Sequence, residues 1–367
     1  MSWPKVRLGD VCEVKAGRDY KDVESPDGKY PIYGTGGVMG MSREWRCPAG
    51  SVIVGRKGTL DNPMLINEPF WNIDTCFGVV PSGKLLPAYL WRFCQNFDFY
   101  SLVPASGRPS TTSDAVKAIN LPLPPLAEQK KIVEKVEKAL KRVDALKAQF
   151  ERMEKSAADY FKAALAETFA AVKGEKVKLG DVCETISVGI VIRPTRYYTA
   201  KGIKAFRNTN IRACEIRDDD WVQVTDAAIN ENPRCEVKMG DVVIARSGLP
   251  GTAAAVTSAY DGFAAVDILI AKPIAARADY HYLAYAINTS EAQRQIKKMN
   301  NGVAQAHIGV NSVSSLLLTL PAKESQKAVV DALDAAKSKS ERMVTAARRG
   351  IAICGKMRKA ILAEAFQ

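Results

Sequence analysis

Two short segments place an arginine where a strand-like run meets glycine. Gly50-Ser51-Val52-Ile53-Val54-Gly55-Arg56-Lys57-Gly58 has this form, and Gly240-Asp241-Val242-Val243-Ile244-Ala245-Arg246-Ser247-Gly248 repeats it 190 positions later. An arginine fork matches guanine O6 and N7, and a lysine supplies a point charge for phosphate. Glycine lets the backbone approach either closely. Thr35-Gly36-Gly37 and Ser106-Gly107-Arg108-Pro109-Ser110 have the same character. Later loops concentrate amides, in Arg207-Asn208-Thr209-Asn210 and in Asn300-Asn301-Gly302-Val303-Ala304-Gln305-Ala306-His307. Asn and Gln suit the N6/N7 edge of adenine. The candidate contacts are therefore Thr35, Gly36, Gly37, Arg56, Lys57, Gly58, Ser106, Gly107, Arg108, Arg207, Asn208, Asn210, Arg246, Ser247, Gly248, Asn301, Gln305 and His307. Each also has a plain reading, because the same residues make good solvated turns. Arg294, Lys297 and Lys298, at helical spacing, fit phosphate contacts or a solvated face. Tyr20, Trp45, Trp71 and Trp221 fit a core better than a base stack.

Catalytic chemistry finds little to work with. No G-x-x-x-x-G-K-[ST] phosphate loop occurs. Leu123-Pro124-Pro125-Leu126 lacks the polar residue before and the aromatic residue after that an amino-methyltransferase uses to hold a flipped base, and Asn62-Pro63-Met64 lacks the second proline. A metal-dependent nuclease needs clustered carboxylates and a lysine. Asp218-Asp219-Asp220 with Glu236-Val237-Lys238 imitates that arrangement, but Glu13-Val14-Lys15 and Glu128-Gln129-Lys130 show how cheaply the tripeptide arises. The eight cysteines include no CxxC pair and have only His281 and His307 for company, so zinc or Cys/His catalysis is not expected. Cys12 and Cys183 read as small buried hydrophobes.

These segments sit in a chain that repeats itself. Val6-Arg7-Leu8-Gly9-Asp10-Val11-Cys12-Glu13 returns as Val177-Lys178-Leu179-Gly180-Asp181-Val182-Cys183-Glu184, 171 positions on. Leu123-Pro124 with Gln129-Lys130 returns as Leu320-Pro321 with Gln326-Lys327, at an offset of 197. Leu165-Ala166-Glu167 and Phe169 return as Leu362-Ala363-Glu364 and Phe366 at that same offset. With 367 residues, the chain is long enough for two cores.

Within each copy, short β-type runs broken by Gly and Pro alternate with helical patches such as Pro87 to Phe99 and Tyr280 to Met299, which argues α/β or α+β domains. Each copy then closes on a long helix. Ile132, Val136, Ala139, Val143, Leu146, Phe150, Met153, Ala157 and Tyr160 alternate spacings of four and three, a heptad seam. Its echo is Val329, Leu333, Ala336, Ser340, Met343, Ala347, Gly350, Cys354 and Met357. At about 1.5 Å per residue, each helix would run roughly 66 Å. Bulky Phe150 and Met153 correspond to small Ala347 and Gly350, so the two helices are expected to pair, antiparallel if the copies are related by a two-fold. The alternative packs each helix on its own domain. The expected division is domain 1–125, helix 126–172, domain 173–322 and helix 323–367.

The net charge of +12 is compatible with a polyanionic partner. Residues 1–125 hold 14 bases and 12 acids, and residues 323–367 hold 10 and 5, so no basic tail dominates and any nucleic-acid contact must come from folded geometry. No run of about 18 apolar residues spans a membrane, and Met1-Ser2-Trp3-Pro4-Lys5 lacks a signal peptide's apolar core, so a cytoplasmic protein is expected.

Leu121-Pro122-Leu123-Pro124-Pro125-Leu126-Ala127-Glu128-Gln129-Lys130-Lys131-Ile132-Val133, followed by the heptad helix, resembles the junction between recognition domain and conserved helix in specificity (S) subunits of type I restriction-modification enzymes. Tyr33-Gly34-Thr35-Gly36-Gly37-Val38-Met39-Gly40 and Val54-Gly55-Arg56-Lys57-Gly58-Thr59 resemble that family's first recognition domain. The second junction, Leu320-Pro321-Ala322-Lys323-Glu324-Ser325-Gln326, lacks the double proline and the Ala-Glu. The resemblance implies a non-catalytic subunit with two target-recognition domains, each reading one half of a bipartite site on double-stranded DNA, and paired helices that set the spacer. It further implies two methyltransferase (M) subunits around the helices and restriction (R) subunits beyond, with AdoMet, ATP and Mg²⁺ belonging to those partners. The competing reading is a DNA-independent coiled-coil adaptor with protein-binding ends; a free-standing enzyme is a third.

Overall fold

The computed structural model describes residues 3–104, 109–299 and 307–367. The chain forms two compact units whose boundary crosses the sequence: Met1–Arg152 joins Ala346–Gln367 in the first, and Met153–Thr345 forms the second.

The first unit opens with strand Lys5–Arg7, antiparallel to Asn120–Pro122. An antiparallel sheet follows in the order Cys12–Ala16, Cys76–Pro81, Ser51–Gly55, Met64–Ile66. A three-stranded sheet places Tyr30–Gly34 between Gly37–Ser42 (antiparallel) and Trp71–Asn72 (parallel). The run Val52-Ile53-Val54 is apolar without alternation because the strand is buried on both faces. Val52 and Val54 point into a core with Leu8, Phe77, Val79 and Tyr89, while Ile53 points into another with Ile32, Phe70 and Trp71. The second unit repeats the plan. Glu175–Lys178 pairs with Leu317–Leu320. The larger sheet runs Cys183–Val188, Ile268–Pro273, Val242–Ala245, Ala253–Ala255, and Tyr198–Phe206 lies between Val222–Val224 and the parallel Ala264–Ala265. Val242 and Ile244 enter one core, Val243 and Ala245 the other.

The helical patches are shorter than their sequence windows. Pro87–Asn96 ends before Asp98, whose carboxylate accepts from the Tyr100 amide (3.0 Å) and starts a short 3-10 turn. The patch from Tyr280 is two helices, Tyr280–Ile287 and Ser290–Met299. Asn288 turns its side-chain amide back onto the carbonyls of Ala284 and Ala253 (2.6 and 2.7 Å), and Thr289 Oγ1 then accepts from the Ala292 amide (3.3 Å) to cap the next helix. Cys12 and Cys183 are buried free thiols, each pushed up to about 12 by desolvation, as small hydrophobes should be.

The long helices are unbroken, Leu126–Ala171 and Lys323–Ala365, and each serves both units. Within the first unit they run antiparallel. Lys135 meets Glu364 (3.3 Å), Asp144 meets Arg358 (3.0 Å), and Phe150 lies on Gly350, where an added Cβ would stand 2.5 Å from the ring. Val136 and Leu140 pack with Leu362, and Val143 and Ala347 are buried as well. Within the second unit, Ser340 Oγ donates to the Ala157 carbonyl (2.7 Å) and Lys339 lies over the Tyr160 ring, again antiparallel. Leu333 is buried, while Ile132, Phe150, Met153, Val329 and Met343 are half-buried.

Leu146 departs from the expected seam, at 36% exposed. The partner helix carries Gly350 and Cys354 along this stretch, too small to cover a leucine, and the early part of the first helix turns Val133 and Leu140 inward instead.

Each helix starts on the domain that precedes it and ends on the other. Gln129, fully buried, accepts from the Leu86 amide (2.8 Å) and donates to the carbonyls of Lys84 (2.9 Å) and Pro124 (2.8 Å). Gln326 repeats all three bonds, accepting from Asp279 (2.8 Å) and donating to Arg277 (2.9 Å) and Pro321 (3.0 Å). The loss of the double proline at the second junction thus leaves its docking intact. At the helix ends, Phe169 packs at a tilt against Tyr282 and Phe366 edge-on against Tyr89, ring centroids 5.4 and 5.2 Å apart, which accounts for the repeated Leu-Ala-Glu…Phe motif.

Candidate nucleic-acid interface

Three loops converge at the equivalent place in each unit. In the first, the turn after strand Ser51–Gly55 holds Arg56, Lys57 and Gly58. The Arg56 carbonyl accepts from the Thr111 amide (2.9 Å), and the Gly58 amide donates to the Pro109 carbonyl (3.1 Å). This joins the turn to the segment that follows Ser106, Gly107 and Arg108, which themselves lie outside the described residues. The third loop is the hairpin tip Thr35-Gly36-Gly37, tied in where Asn62 Nδ2 donates to the Thr35 carbonyl (2.9 Å).

The second unit makes the same junction with different residues. The Arg246 carbonyl accepts from the Ile308 amide (3.1 Å), and Arg246 Nε donates to the Ile308 carbonyl (3.3 Å), which sets exposed His307 beside the arginine turn. Asn301 and Gln305 lie outside the described residues. The loop after strand Tyr198–Phe206 supplies Asn208, whose Oδ1 accepts from the amides of Arg246 (2.7 Å) and Ser247 (3.1 Å). Gly58 and Gly248 both take left-handed backbone angles (φ 78° and 72°), which glycine enters without steric cost.

Two aspartates absent from the sequence reading hold the arginines. Asp267 accepts from Arg246 Nη1 (2.6 Å), with both side chains largely shielded. Asp74 offers its carbonyl to Arg56 Nη1 (3.3 Å) and its carboxylate to Lys57 Nζ (3.2 Å). Each aspartate stands just before the strand that pairs beside its arginine's strand, since Gly55 pairs with Cys76 and Ala245 with Ile268. The only sequence sign was an acid preceding an apolar run in both copies. The Arg246 guanidinium, fixed by a carboxylate, spends less side-chain entropy on binding than a free one.

Two amides expected at the interface are braces. Asn210 is fully buried: its Oδ1 accepts from the Arg207 amide (2.9 Å) and its Nδ2 donates to the carbonyls of Arg217 (3.4 Å) and Asp219 (2.8 Å). Asn208 donates its Nδ2 to the Asp267 carbonyl (3.0 Å) besides holding Arg246 and Ser247, so its amide is spent inside the loop cluster. Arg207 itself is bound to Asp220 (2.8 Å). Arg294, Lys297 and Lys298 share the exposed face of helix Ser290–Met299. Of the aromatics, Trp71 is core and Trp221 packs on Phe206 and Phe263, whereas Trp45 is exposed.

The model of the type I restriction modification DNA specificity domain matches residues 2–155 and again 172–343. The chain belongs to this family. Its role is therefore that of a type I specificity subunit, which recognises DNA, and the adaptor reading is not favoured. Among curated proteins it is similar to the specificity subunit of the type I restriction enzyme EcoBI of Escherichia coli, 23% identical over all of this chain and 86% of that one. Two solved structures share the fold. One is a chain from work on complex assembly and conformational transition of the type I R-M system, at 20% identity over all of this chain and 98% of that one, with TM-score 0.77. The other is the HsdS subunit from Thermoanaerobacter tengcongensis, at 20% identity over all of this chain and 96% of that one, with TM-score 0.60. Among the described residues of this type I specificity subunit, no helix is long and apolar enough to cross a membrane.

Proposed function

We propose that each unit of this specificity subunit reads one half of a bipartite duplex target, and that the chain performs no chemistry itself. The observation that carries this reading is the recurrence of one three-loop junction in both units, with a strand-end arginine, a left-handed glycine and an aspartate in each, the aspartate's carboxylate on Arg246 in one and on Lys57 in the other, among otherwise different residues. A shared scaffold with divergent tips suits two different half-sites. Methylation and cleavage then fall to partners: two methyltransferase subunits and restriction subunits, carrying AdoMet, ATP and Mg²⁺. The study from which the first structural relative comes, on assembly of a type I R-M system, supports such partnership.

Alanine at either arginine tests the division. With a target selected from a random duplex pool, Arg246→Ala is expected to lower specific binding about 10- to 100-fold, the range of one good base contact. It should relax base preference in one half-site only, and Arg56→Ala should relax the other. Binding to competing half-site variants reads this directly. If one substitution relaxes both halves together, the assignment of one half-site per unit is wrong.

A further inference from the structure

Ile192 is 82% exposed, more than any other large hydrophobic side chain among the described residues, and adjacent Val191 is 47% exposed. Single apolar residues on a surface are ordinary. This pair, however, is pinned in place beside the reading loops. Ile190 bridges Val266, and its carbonyl accepts from the Asp267 amide (3.1 Å). Asp267 is the residue that holds Arg246 and Asn208. Two residues of extended chain reach at most about 7 Å, so Ile192 lies within that distance of Ile190, the residue anchored on Asp267. On its other side Arg193 adopts a left-handed conformation (φ 46°), and Pro194 opens a short turn that ends at buried Tyr197. The tip therefore faces outward from two fixed ends. Leu249, beside Gly248 in the turn that Asp267 holds through Arg246, is exposed too.

Donors and acceptors read guanine, adenine and cytosine, but thymine presents a methyl group to the major groove, and its complement is apolar. We propose that Ile192, supported by Val191, is a specificity-determining contact that packs on a thymine methyl in the half-site read by the second unit. The inference rests on the DNA-reading role proposed above. The first unit supplies an internal contrast. Its Gly17 and Arg18 amides donate to Cys76 and Asn72 as those of Gly189 and Ile190 donate to Ile268 and Ala265, so Asp19 and Tyr20 occupy the places of Val191 and Ile192. The effect belongs to one half-site.

The probe is the selected duplex with each thymine replaced in turn by uracil, which lacks only the methyl, titrated with the full chain. One replacement, in the half-site that depends on Arg246, should weaken binding about fourfold, the worth of one buried methyl-sized group. Ile192→Ala should weaken binding to the thymine duplex by a similar factor and erase the uracil effect, with an unchanged melting temperature because the side chain is exposed. The proposal is overturned if that half-site contains no thymine, if no uracil replacement there matters, or if Ile192→Ala keeps the uracil sensitivity. Failure of the wild-type chain to select any duplex would instead reject the DNA-reading role.

Discussion

Replacing Gln129 with leucine is expected to cost about 3–6 kcal/mol, because three backbone groups, one buried and two partly buried, lose their side-chain partner at about 1–2 kcal/mol each. The Leu86 amide and the carbonyls of Lys84 and Pro124 all end on this fully buried amide, the Pro124 bond buried and the other two partly so. Leucine nearly matches glutamine in volume, so little of the loss comes from a cavity. For a unit of this size the fall in melting temperature is roughly 6–24 °C. Calorimetry should show the transition of the first unit moving while that of the second holds, and Gln326→Leu should do the reverse. A shift below about 2 °C would mean that water or a rearranged backbone replaces the glutamine, and that the helix start is docked by something else.

Gly350→Leu is the second large effect. In an isolated helix, removing a mid-helix glycine stabilises by about 1 kcal/mol. Here the first added carbon already meets the Phe150 ring, so overpacking should reverse the sign and destabilise by about 1–3 kcal/mol. Phe150→Ala alone opens a cavity and costs about 3 kcal/mol, somewhat less for a half-buried ring. The double variant should recover most of both losses, since one change makes the space the other needs. Urea denaturation of the four proteins measures the coupling. Additive losses would show that the two side chains do not share one contact.

The long helices and their antiparallel pairing were legible because a heptad pattern is local and repeats many times, so one misplaced position such as Leu146 changes little. That bulky Phe150 and Met153 face small residues on the other helix was legible from the repeat, where they correspond to Ala347 and Gly350; that Phe150 lies on Gly350 follows from the antiparallel register. The crossed division of the chain was not. It depends on Phe169 meeting Tyr282 and Phe366 meeting Tyr89, contacts far apart in sequence with no period to reveal them.

The interface was half legible. Strand-end arginines beside glycine stood out, and their turns do lie together with the other candidate loops. Asn208 and Asn210 suit an adenine edge by residue type, but amides also satisfy loop backbones. Their partners, Arg246, Asp267, Arg217 and Asp219, are fixed only by the fold. Asp74 and Asp267 left almost no trace, because a single acid before an apolar strand is common. Ile192 was not legible because Ile190-Val191-Ile192 looks like a buried strand end, and only the fold exposes its last two residues.

The most direct test of one half-site per unit is to map methylated adenines in a host that expresses this chain with its methyltransferase partner, then in hosts carrying Arg56→Ala or Arg246→Ala. The account predicts a bipartite motif that disappears without the chain, degenerating in one half with the first substitution and in the other half with the second. A motif that persists without the chain, or that loses both halves to either substitution, would contradict it.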